Sequence, residues 1–306
     1  ETATGTVIFE KNADERREVA SITKLMTALL VLEALDRDEI ALTDSVQISP
    51  RAAAMKGSQA LLDANAVYPL EDLLRTTIMA SANDSAVALS EYIAGSEENF
   101  VDRMNRRAAE LGMTNTNYVN CTGYPQSGQY TTARDVCRLC CEIAKHPRYN
   151  QYASVWIDKL THPSGRVTDL TNTNRLVRFY KGCDGYKTGS TDAAKYCLAA
   201  TAEKNGMRLV AIVLGTPVSQ TRFNEARQML DYGFATYRRV VIANKGDLLG
   251  QNVEVRGGSA ESVPLALGSG LSMLLKNGQQ SGLSLSVQLP ESVDAPIAQG
   301  DVIGLV

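Results

Sequence analysis

The chain has 306 residues, of which 44% are hydrophobic and 21% are charged, and its formal net charge is −3. This length favours two domains over one, and the composition is that of an ordinary globular protein. The 31 basic and 34 acidic residues form no basic block that would indicate nucleic-acid binding, and no apolar stretch is long enough to cross a bilayer.

The first predicted elements are a short strand in "TGTVIFE", a polar loop and an apolar helix over residues 22–35. Apolar residues occupy nearly every phase of this helix, which predicts that it is buried on all sides. Lys24 nevertheless lies on it, one turn after Ser21. In the ordinary explanation, Ser21 caps the helix and Lys24 extends to solvent. In the functional one, burial keeps the amine neutral, and a neutral amine beside a serine hydroxyl activates a nucleophile.

Four further helices are predicted, at about 70–80, 83–95, 97–111 and 132–145. A stretch rich in Gly, Asn and Thr, residues 112–131, connects the last two.

Six cysteines occur in the chain, at positions 121, 137, 140, 141, 183 and 197. The pair Cys137-x-x-Cys140 is half of a common zinc pattern, but no clear second pair accompanies it. Positions 133, 137, 140 and 144 fall on one apolar face of the predicted helix. The cysteines are therefore predicted to be buried, inert core thiols, and no metal site is predicted.

Near residue 180 the pattern changes from helices to strands. "KYCLAATAEKNGMRLVAIVLG" predicts two strands joined by a hairpin turn at Asn205-Gly206, and "TRFNEARQMLDYGFATY" predicts an amphipathic helix. Short strands follow in "VEVRGG", "SVPLAL" and "GLSLSVQL". We therefore expect a mixed α/β domain over residues 1–237 and a small all-β domain over residues 238–306.

Three short motifs occur once each and in a fixed order: Ser21-x-x-Lys24, Ser81-x-Asn83 and Lys187-Thr188-Gly189, separated by 60 and 106 residues. A lone S-x-x-K is expected about once by chance in a chain of this length. All three together are typical of penicillin-binding proteins and class A β-lactamases. A Ser-His-Asp triad is the weaker alternative. The chain has two histidines, His146 and His162, and no G-x-S-x-G motif.

The chain resembles the low-molecular-mass penicillin-binding proteins, the serine-type D-Ala-D-Ala carboxypeptidases, over essentially its whole length. The resembling stretches are "FEKNADERREVASITKLMT", "SANDSAVALSEYIAGS", "GMTNTNYVN", "DGYKTGSTDAAKYCLAATA" and the β-rich tail. "NTNRLVRFYKGCDGYKTG" is especially similar to the Gram-positive, sporulation-type branch. The resemblance implies an α/β (α+β) penicillin-binding/β-lactamase-like transpeptidase domain, with an antiparallel sheet and helices, and then a small all-β, sandwich-like domain.

The resemblance also implies catalytic roles for five residues. Ser21 would be the acylated nucleophile and Lys24 its base. Ser81 would relay protons, and Asn83 would hold the substrate amide. Lys187 would set the electrostatics of the site. The alternative explanation for Lys187 is an ordinary lysine at a strand end.

Substrate-binding roles follow from the same resemblance. Thr188 and Arg222 would bind the terminal carboxylate of a D-Ala-D-Ala peptide through charge-assisted hydrogen bonds. Gly189 and Ser190 follow Thr188 and would also belong to the substrate-binding residues, and the backbone N–H groups of Ser21 and Ser190 would form the oxyanion hole. The alternative explanation for Arg222 is a solvated helix residue.

The implied reaction is removal of the terminal D-Ala from peptidoglycan stem pentapeptides through an acyl-enzyme, without metal or organic cofactor. β-Lactams would acylate the same serine and inhibit the enzyme. The substrate implies an extracytoplasmic location, either secreted or at the outer face of the cell membrane. Family members usually continue into a C-terminal amphipathic anchor. The printed sequence lacks this segment, so membrane contact is expected only through residues outside it.

Two other functions remain open on the sequence. A serine β-lactamase would need rapid hydrolysis of the acyl-enzyme, and the class A pattern E-x-x-L-N does not occur between the second and third motifs. A non-catalytic penicillin-recognising module would not need all three intact motifs. The β-domain carries no recognisable motif, and we expect it to position the catalytic domain relative to a membrane or partner.

Overall fold

The computed structural model describes residues 1–279 and 286–306. These residues divide into two units, Glu1–Gly233 and Phe234–Val306, each held together by its own contacts. The division lies a few residues before the predicted domain boundary. In the described part of the chain, no helix combines the length and the apolar character needed to cross a membrane.

A short 3-10 helix, Ala20–Thr23, leads directly into the first α-helix. The α-helices are α1 (Lys24–Asp36), α2 (Pro50–Ala53), α3 (Leu70–Met79), α4 (Asn83–Ala94), α5 (Glu97–Glu110), α6 (Ala133–Ile143), α7 (Pro147–Ala153), α8 (Leu176–Phe179) and α9 (Ser219–Thr236). The predicted apolar helix is confirmed as α1, the four helices that follow it as α3 to α6, and the amphipathic helix as α9.

Local sequence signals explain several helix ends. The Ser96 and Thr132 hydroxyls accept hydrogen bonds from the N–H groups of Asn99 and Asp135, at 3.2 and 3.1 Å, and so cap α5 and α6. Gly95 ends α4 with a φ of +78°, a left-handed conformation that glycine adopts without strain.

Helix α1 lies in the core of the first unit. Ten of its 13 residues are buried, and it packs against α3, α4 and α6. Each fully buried leucine or methionine stabilises the fold by about 1.5–3 kcal/mol. The prediction of a helix buried on all sides is confirmed. Its consequence is that Lys24, the first residue of α1, starts inside the core.

The strands of the first unit pair in antiparallel sheets. β1 (Ser45–Gln47) pairs with β2 (Val67–Pro69), and β3 (Ile157–Thr161) pairs with β4 (Val167–Thr171). A larger sheet has the order β5–β6–β7, formed by β5 (Cys183–Thr191), β6 (Lys195–Lys204) and β7 (Met207–Thr216). This sheet packs against the 3-10 helix and α6.

The hairpin between β6 and β7 has the predicted turn. Lys204 pairs with Met207, so Asn205 and Gly206 are the two turn residues, with φ of +53° and +72°. Two successive positive φ values are the mark of a type I′ turn, whose twist matches that of the flanking strands. The prediction of a hairpin at Asn205-Gly206 is confirmed.

The predicted N-terminal strand is wrong. Residues 4–10 form no strand in the structure, and Val7 and Phe9 are exposed. Ile8 is the partly buried apolar residue of this stretch, and it approaches α9 at Gly233. A short apolar run makes a strand only when a neighbouring strand supplies hydrogen bonds, and here the run instead places one side chain, Ile8, partly in the interior.

After the last residues of α9, the second unit is all β in its described residues, as predicted. Its strands are β8 (Tyr237–Ala243), β9 (Leu248–Arg256), β10 (Ser262–Ala266), β11 (Leu271–Lys276) and β12 (Ser292–Asp294). β8 pairs with β11 in antiparallel fashion, and β9 lies between antiparallel β10 and parallel β12. The strand predicted at "GLSLSVQL" lies mostly outside the described residues, although Gln288 forms a β-bridge with Leu305.

The cysteine prediction is only partly correct. All six are free thiols, and Cys121, Cys140, Cys183 and Cys197 are buried. Helix α6, however, buries the face of Val136, Leu139, Cys140 and Ile143 rather than the predicted face at 133, 137, 140 and 144. Cys137 is therefore half-buried, and a hydrogen bond with Cys141 lowers its pKa to about 7. The prediction of burial is therefore wrong for Cys137 and Cys141, which are half-buried, and the inert character of the thiols stays a prediction.

Candidate active site

Ser21 lies in the 3-10 helix that precedes α1. Side chains three residues apart are eclipsed in a 3-10 helix, so Ser21 and Lys24 point in the same direction. The Lys24 Nζ and Ser21 Oγ atoms lie 3.0 Å apart and are hydrogen-bonded. The ordinary explanation of Ser21 as a helix cap is wrong, because the cap residue of α1 is Thr23 and it makes no side-chain capping bond.

The Lys24 side chain is buried, with 1% of the residue exposed. Burial lowers its pKa from 10.5 to about 7, although the charges of Cys121 and Asp84 act in the opposite direction. The alternative in which Lys24 reaches solvent is therefore wrong. Near neutral pH a large fraction of this lysine is an uncharged amine in contact with a serine hydroxyl.

A loop that the sequence analysis treated only as a connector forms one wall of the site. The carbonyl oxygen of Thr122 accepts a hydrogen bond from Lys24 Nζ at 2.7 Å. Gly123 has a φ of +77°, and a Cβ atom there would lie 1.9 Å from the carbonyl oxygen of Ala20. Only glycine allows this close approach, so Gly123 packs the loop directly on the helix that carries Ser21.

Ser81 and Asn83 lie just before and at the start of α4. Ser81 is buried and has a φ of +64°, an uncommon value for a residue other than glycine. The Asn83 side chain donates from Nδ2 to the Lys56 carbonyl at 2.6 Å. Its Oδ1 atom is buried and has no hydrogen-bond partner among residues 1–279 and 286–306. A buried, unpaired amide oxygen is costly, so this atom is available to accept an N–H group from a ligand.

Asp84 follows Asn83 and was missed by the sequence analysis. Its carboxylate is fully buried and accepts hydrogen bonds from the N–H groups of Ala60, Leu62 and Ser85, at 3.0, 3.1 and 2.9 Å. It therefore fixes the loop before β2 against the start of α4. Its charge also favours the protonated form of Lys24. The sequence signal for this role is the acidic residue in the first turn of a helix.

Strand β5 carries Lys187 and Thr188. Lys187 is buried, and burial together with the charges of Lys24 and Arg222 lowers its pKa well below the ordinary value. Two ammonium groups in one buried site disfavour each other, so the site disfavours the doubly charged state of Lys24 and Lys187. The Thr188 hydroxyl donates to the hydroxyl of Thr173 at 2.7 Å. A simple strand-end lysine is excluded.

Gly189 determines how closely β5 approaches the 3-10 helix. A Cβ atom at this position would lie 2.2 Å from the Val19 carbonyl oxygen and 3.2 Å from the Ile22 backbone nitrogen. The structure thus gives Gly189 a packing role that the sequence analysis did not foresee, and its contact with substrate stays a prediction. Ser190, the next residue, is exposed.

Arg222 of α9 lies behind β5 and is 8% exposed. Its guanidinium donates to the carbonyl oxygens of Gly189 and Cys197, at 2.9 and 3.1 Å, and to the hydroxyl of Ser219 at 3.3 Å. The alternative of a solvated helix residue is therefore wrong. The carboxylate contact predicted for Arg222 stays a prediction, while its bonds to the backbone of β5 and β6 are observed.

The two histidines lie elsewhere in the first unit. His146 Nδ1 is 2.7 Å from a carboxylate oxygen of Asp36, and His162 bonds to Tyr68 and Thr168 at 2.7 and 2.8 Å. Within the described residues, neither ring is hydrogen-bonded to Ser21. The Ser-His-Asp alternative therefore has no geometric support, whereas Lys24 is in place to serve as the base.

Comparison with known proteins gives matches over both units. Residues 1–218 match the family model described as D-alanyl-D-alanine carboxypeptidase. Residues 237–306 match the model described as penicillin-binding protein 5, C-terminal domain.

Individual relatives agree with the family matches. The chain is 37% identical over 305 residues to D-alanyl-D-alanine carboxypeptidase DacF of Bacillus subtilis (strain 168), covering 99% of this chain and 78% of the relative. It is 36% identical over 312 residues to DacC of Escherichia coli (strain K12), covering 99% and 77%. Penicillin-binding protein 5 from Haemophilus influenzae has a similar structure, with a TM-score of 0.81 and 32% identity over 98% of this chain and 87% of that one.

Proposed function

The chain belongs to the D-alanyl-D-alanine carboxypeptidase family, and from this membership we propose how its own residues carry out the reaction. It is a serine D-alanyl-D-alanine carboxypeptidase that acts on peptidoglycan. The assignment of roles to residues is carried by one observation, the 3.0 Å contact between Ser21 Oγ and the buried Lys24 Nζ.

In the first step, Ser21 Oγ attacks the carbonyl carbon of the penultimate D-Ala, and its proton moves to the neutral amine of Lys24. The pKa of about 7 supports this role, because a base works best when its pKa lies near the working pH. The peptide C–N bond then breaks. The departing amine of the terminal D-Ala receives a proton relayed through Ser81, and Ser21 is left as an ester.

The carbonyl oxygen becomes negatively charged during the attack, and we assign its stabilisation to the backbone N–H groups of Ser21 and Ser190. Preorganised N–H donors of this kind are worth about 10²–10³ in rate. Asn83 Oδ1, which is buried and unpaired, would accept the N–H of the substrate peptide. This contact would orient the scissile bond across Ser21.

The carboxylate of the terminal D-Ala would bind at the end of the site formed by Thr188, Ser190 and Arg222. Its negative charge would be attracted by Lys187 when that residue is protonated and by the guanidinium behind β5. We also expect this carboxylate to draw the Thr188 hydroxyl away from its present acceptor, Thr173. The preference for a free C-terminal carboxylate follows from this cluster of donors.

In the second step, water hydrolyses the ester and releases a peptide one D-Ala shorter, and no metal or organic cofactor takes part in the proposed steps. β-Lactams bind to this family and would form a longer-lived ester on Ser21.

Because peptidoglycan lies outside the cytoplasmic membrane, we place the enzyme there. We assign catalysis to residues 1–237. The narrower sporulation-type assignment is likewise a proposal, supported by the similarity to the Bacillus subtilis relative.

The test is the mass of the intact protein after incubation with benzylpenicillin, for the wild type, Ser21→Ala and Ser164→Ala. Ser164 is an exposed serine hydrogen-bonded to Asp63, and it serves as the matched control. We expect one penicillin adduct on the wild type and on Ser164→Ala and none on Ser21→Ala. A peptide ending in D-Ala-D-Ala should release free D-Ala with the same dependence on Ser21.

Other outcomes would contradict the proposal in distinguishable ways. An adduct that persists in Ser21→Ala would remove Ser21 as the nucleophile. Rapid drug hydrolysis without a lasting adduct would favour the β-lactamase alternative. Neither adduct nor hydrolysis, with no release of D-Ala, would favour the non-catalytic binding module.

A further inference from the structure

One peptide unit lies between Asn120 and the proposed catalytic base. The carbonyl of Thr122 accepts a hydrogen bond from Lys24 Nζ at 2.7 Å. The N–H of Gly123, which belongs to the same peptide unit, donates to Asn120 Oδ1, also at 2.7 Å. The C=O and N–H of a trans peptide point in opposite directions, so these groups form one chain of hydrogen bonds from Asn120 to Lys24. Hydrogen bonds in such a chain polarise one another.

The side-chain amide of Asn120 is fixed in one orientation. Its Oδ1 atom also accepts hydrogen bonds from the N–H and the hydroxyl of Thr122, each at 3.2 Å. Its Nδ2 atom donates to the Tyr124 carbonyl at 2.9 Å and to Gln126 Oε1 at 3.2 Å. An exchange of Oδ1 and Nδ2 would set donors against donors, so the network allows only the observed orientation. Asn120 thereby holds the turn in place.

The hydrogen bond from Lys24 to the Thr122 carbonyl matters because it restricts the orientation of the neutral amine. A neutral amine has two hydrogens and one lone pair, and only the lone pair can accept the Ser21 proton. When one hydrogen is held by the Thr122 carbonyl, rotation about the Cε–Nζ bond is restricted, and the lone pair can be directed at Ser21 Oγ, 3.0 Å away. Without that carbonyl in place, the amine would take other orientations, and transfer of the proton would be slower.

We propose that Asn120 is a positioning residue for acylation: through the Thr122–Gly123 peptide unit it holds the carbonyl that orients the Lys24 amine towards Ser21. This inference rests on the proposed function, because it concerns a base that acts on Ser21.

Several charged or titratable groups face Lys24. Burial lowers its pKa, while Asp84 from α4 and the Cys121 thiol from the loop raise it. From β5, Lys187 is close enough for the Lys24 charge to lower its pKa. Glu97 of α5 faces the same loop, since its carboxylate accepts the N–H of Cys121 at 2.9 Å. A new charge in the loop would act in addition to these groups.

Two substitutions at Asn120 separate positioning from mere packing. Asn120→Asp keeps an oxygen for the N–H groups of Thr122 and Gly123 but adds a negative charge at the end of the chain that leads to Lys24. That charge favours the protonated amine, so the acid side of the pH profile of acylation should move up by about one pH unit. Asn120→Ala removes every side-chain hydrogen bond of this residue and should slow acylation about 10- to 100-fold at all pH values.

Asn105 provides the matched control. Its Oδ1 accepts the N–H of Tyr118 at 2.8 Å, and its Nδ2 donates to the carbonyl of the same residue at 2.9 Å. It therefore anchors the segment that leads into the loop, but it does so at Tyr118, which precedes the Thr122–Gly123 peptide unit in the sequence. Asn105→Asp adds the same charge and should leave the pH profile unchanged.

The experiment measures the acylation rate of the full chain by benzylpenicillin between about pH 6 and pH 9 for the wild type and the three variants, with thermal melting alongside. An upward shift for Asn120→Asp alone supports the proposal. A profile for Asn120→Asp that superimposes on the wild type would overturn it, as would a folded Asn120→Ala protein that acylates within twofold of the wild type. If the wild type itself gained no adduct at Ser21, the proposed function would fail instead.

Discussion

Lys24 combines two properties that rarely occur together: it has an ionisable amine, and it is buried inside an apolar core. A lysine whose pKa falls from 10.5 to about 7 carries a folding cost below pH 7 of about 5 kcal/mol, at about 1.36 kcal/mol for each pKa unit. The apolar packing of α1 offsets this cost, since each of its buried leucines contributes about 1.5–3 kcal/mol. The residue that we propose as the catalytic base therefore makes the fold less stable.

The Lys24→Met variant should be more stable than the wild type at low pH, and this advantage should shrink as the pH rises. The folded state binds the lysine proton less tightly than the unfolded state, so wild-type stability rises with pH between about 7 and 10.5. Methionine has no such cost, although it leaves the Thr122 carbonyl unpaired, at about 1–3 kcal/mol. We expect a gain of about 2–4 kcal/mol at pH 6 that falls as the pH rises and becomes a small loss near pH 10, where only the unpaired carbonyl still counts. Denaturant unfolding measures this, and a difference independent of pH would contradict it.

The acylation rate of the wild type should increase with pH, because Lys24 loses its proton as the pH rises. The base must be neutral, so the acylation rate should rise roughly tenfold from pH 6 to pH 8, through a pKa of about 7. Lys24→Arg keeps a positive charge but cannot lose its proton near neutral pH, and acylation should fall by about 10²–10⁴. Lys24→Ala should lose a similar factor. A Lys24→Arg variant that still acylates at the wild-type rate would remove proton transfer to residue 24 from the mechanism.

At the scale of elements, the site forms where three backbone segments come unusually close together. The 3-10 helix Ala20–Thr23 is contacted on one side by β5 and on another by the loop of Thr122 and Gly123. Glycine at 123 and at 189 is what permits both contacts, because a Cβ atom at either position would meet a carbonyl oxygen. The guanidinium of Arg222 then ties β5 and β6 together from behind.

Gly189→Ala should weaken both stability and acylation. Its Cβ atom would lie 2.2 Å from the Val19 carbonyl oxygen, a backbone atom that cannot move without shifting the 3-10 helix. We expect a loss of about 1–3 kcal/mol in unfolding free energy and an acylation rate lowered at least tenfold. Gly268→Ala is the control, because no atom of the described residues lies within 4 Å of the Cβ position at Gly268. If the two variants behaved alike in melting and acylation assays, β5 would be able to shift and accommodate the added methyl group.

At the scale of the whole molecule, the described chain consists of two units with separate cores. Every proposed site residue lies within Glu1–Gly233, and the second unit, Phe234–Val306, is built from short strands. Its buried apolar residues include Val253, Val255 and Leu275, whereas the first unit has an extended core around α1. Catalysis of the acylation step should therefore depend on the first unit.

A chain that ends after Tyr237 should still be acylated by benzylpenicillin at close to the full-length rate. The truncation keeps α9, and with it the hydrogen bonds of Arg222 to β5 and β6. We expect the acylation rate to change by less than about threefold, because every proposed site residue lies within Glu1–Gly233, a unit with its own core. Circular dichroism would establish that the shortened chain is folded. A folded chain with no acylation would show that the second unit takes part in the chemistry.

Much of the fold was predictable because it depends on local patterns. The apolar run of α1, the polar and apolar periodicity of α3 to α6, and the Asn205-Gly206 turn each act over a few residues, and each prediction is confirmed. The failures depend on partners far away in sequence. The apolar run of Val7, Ile8 and Phe9 pairs with no strand in the described part of the chain, and the buried face of α6 is set by what packs on it.

The sequence by itself determined the family, the three short motifs and the presence of a lysine on an apolar helix, since residue identity and spacing carry that information. Only the tertiary structure decided that this lysine is buried rather than extended to solvent, and that Arg222 bonds to the backbone of β5 and β6. It also revealed Asn120 and the Thr122 carbonyl beside Lys24. The physical reason is that burial, pKa and hydrogen-bond partners are set by residues about a hundred positions apart in sequence, as for Lys24 and Thr122.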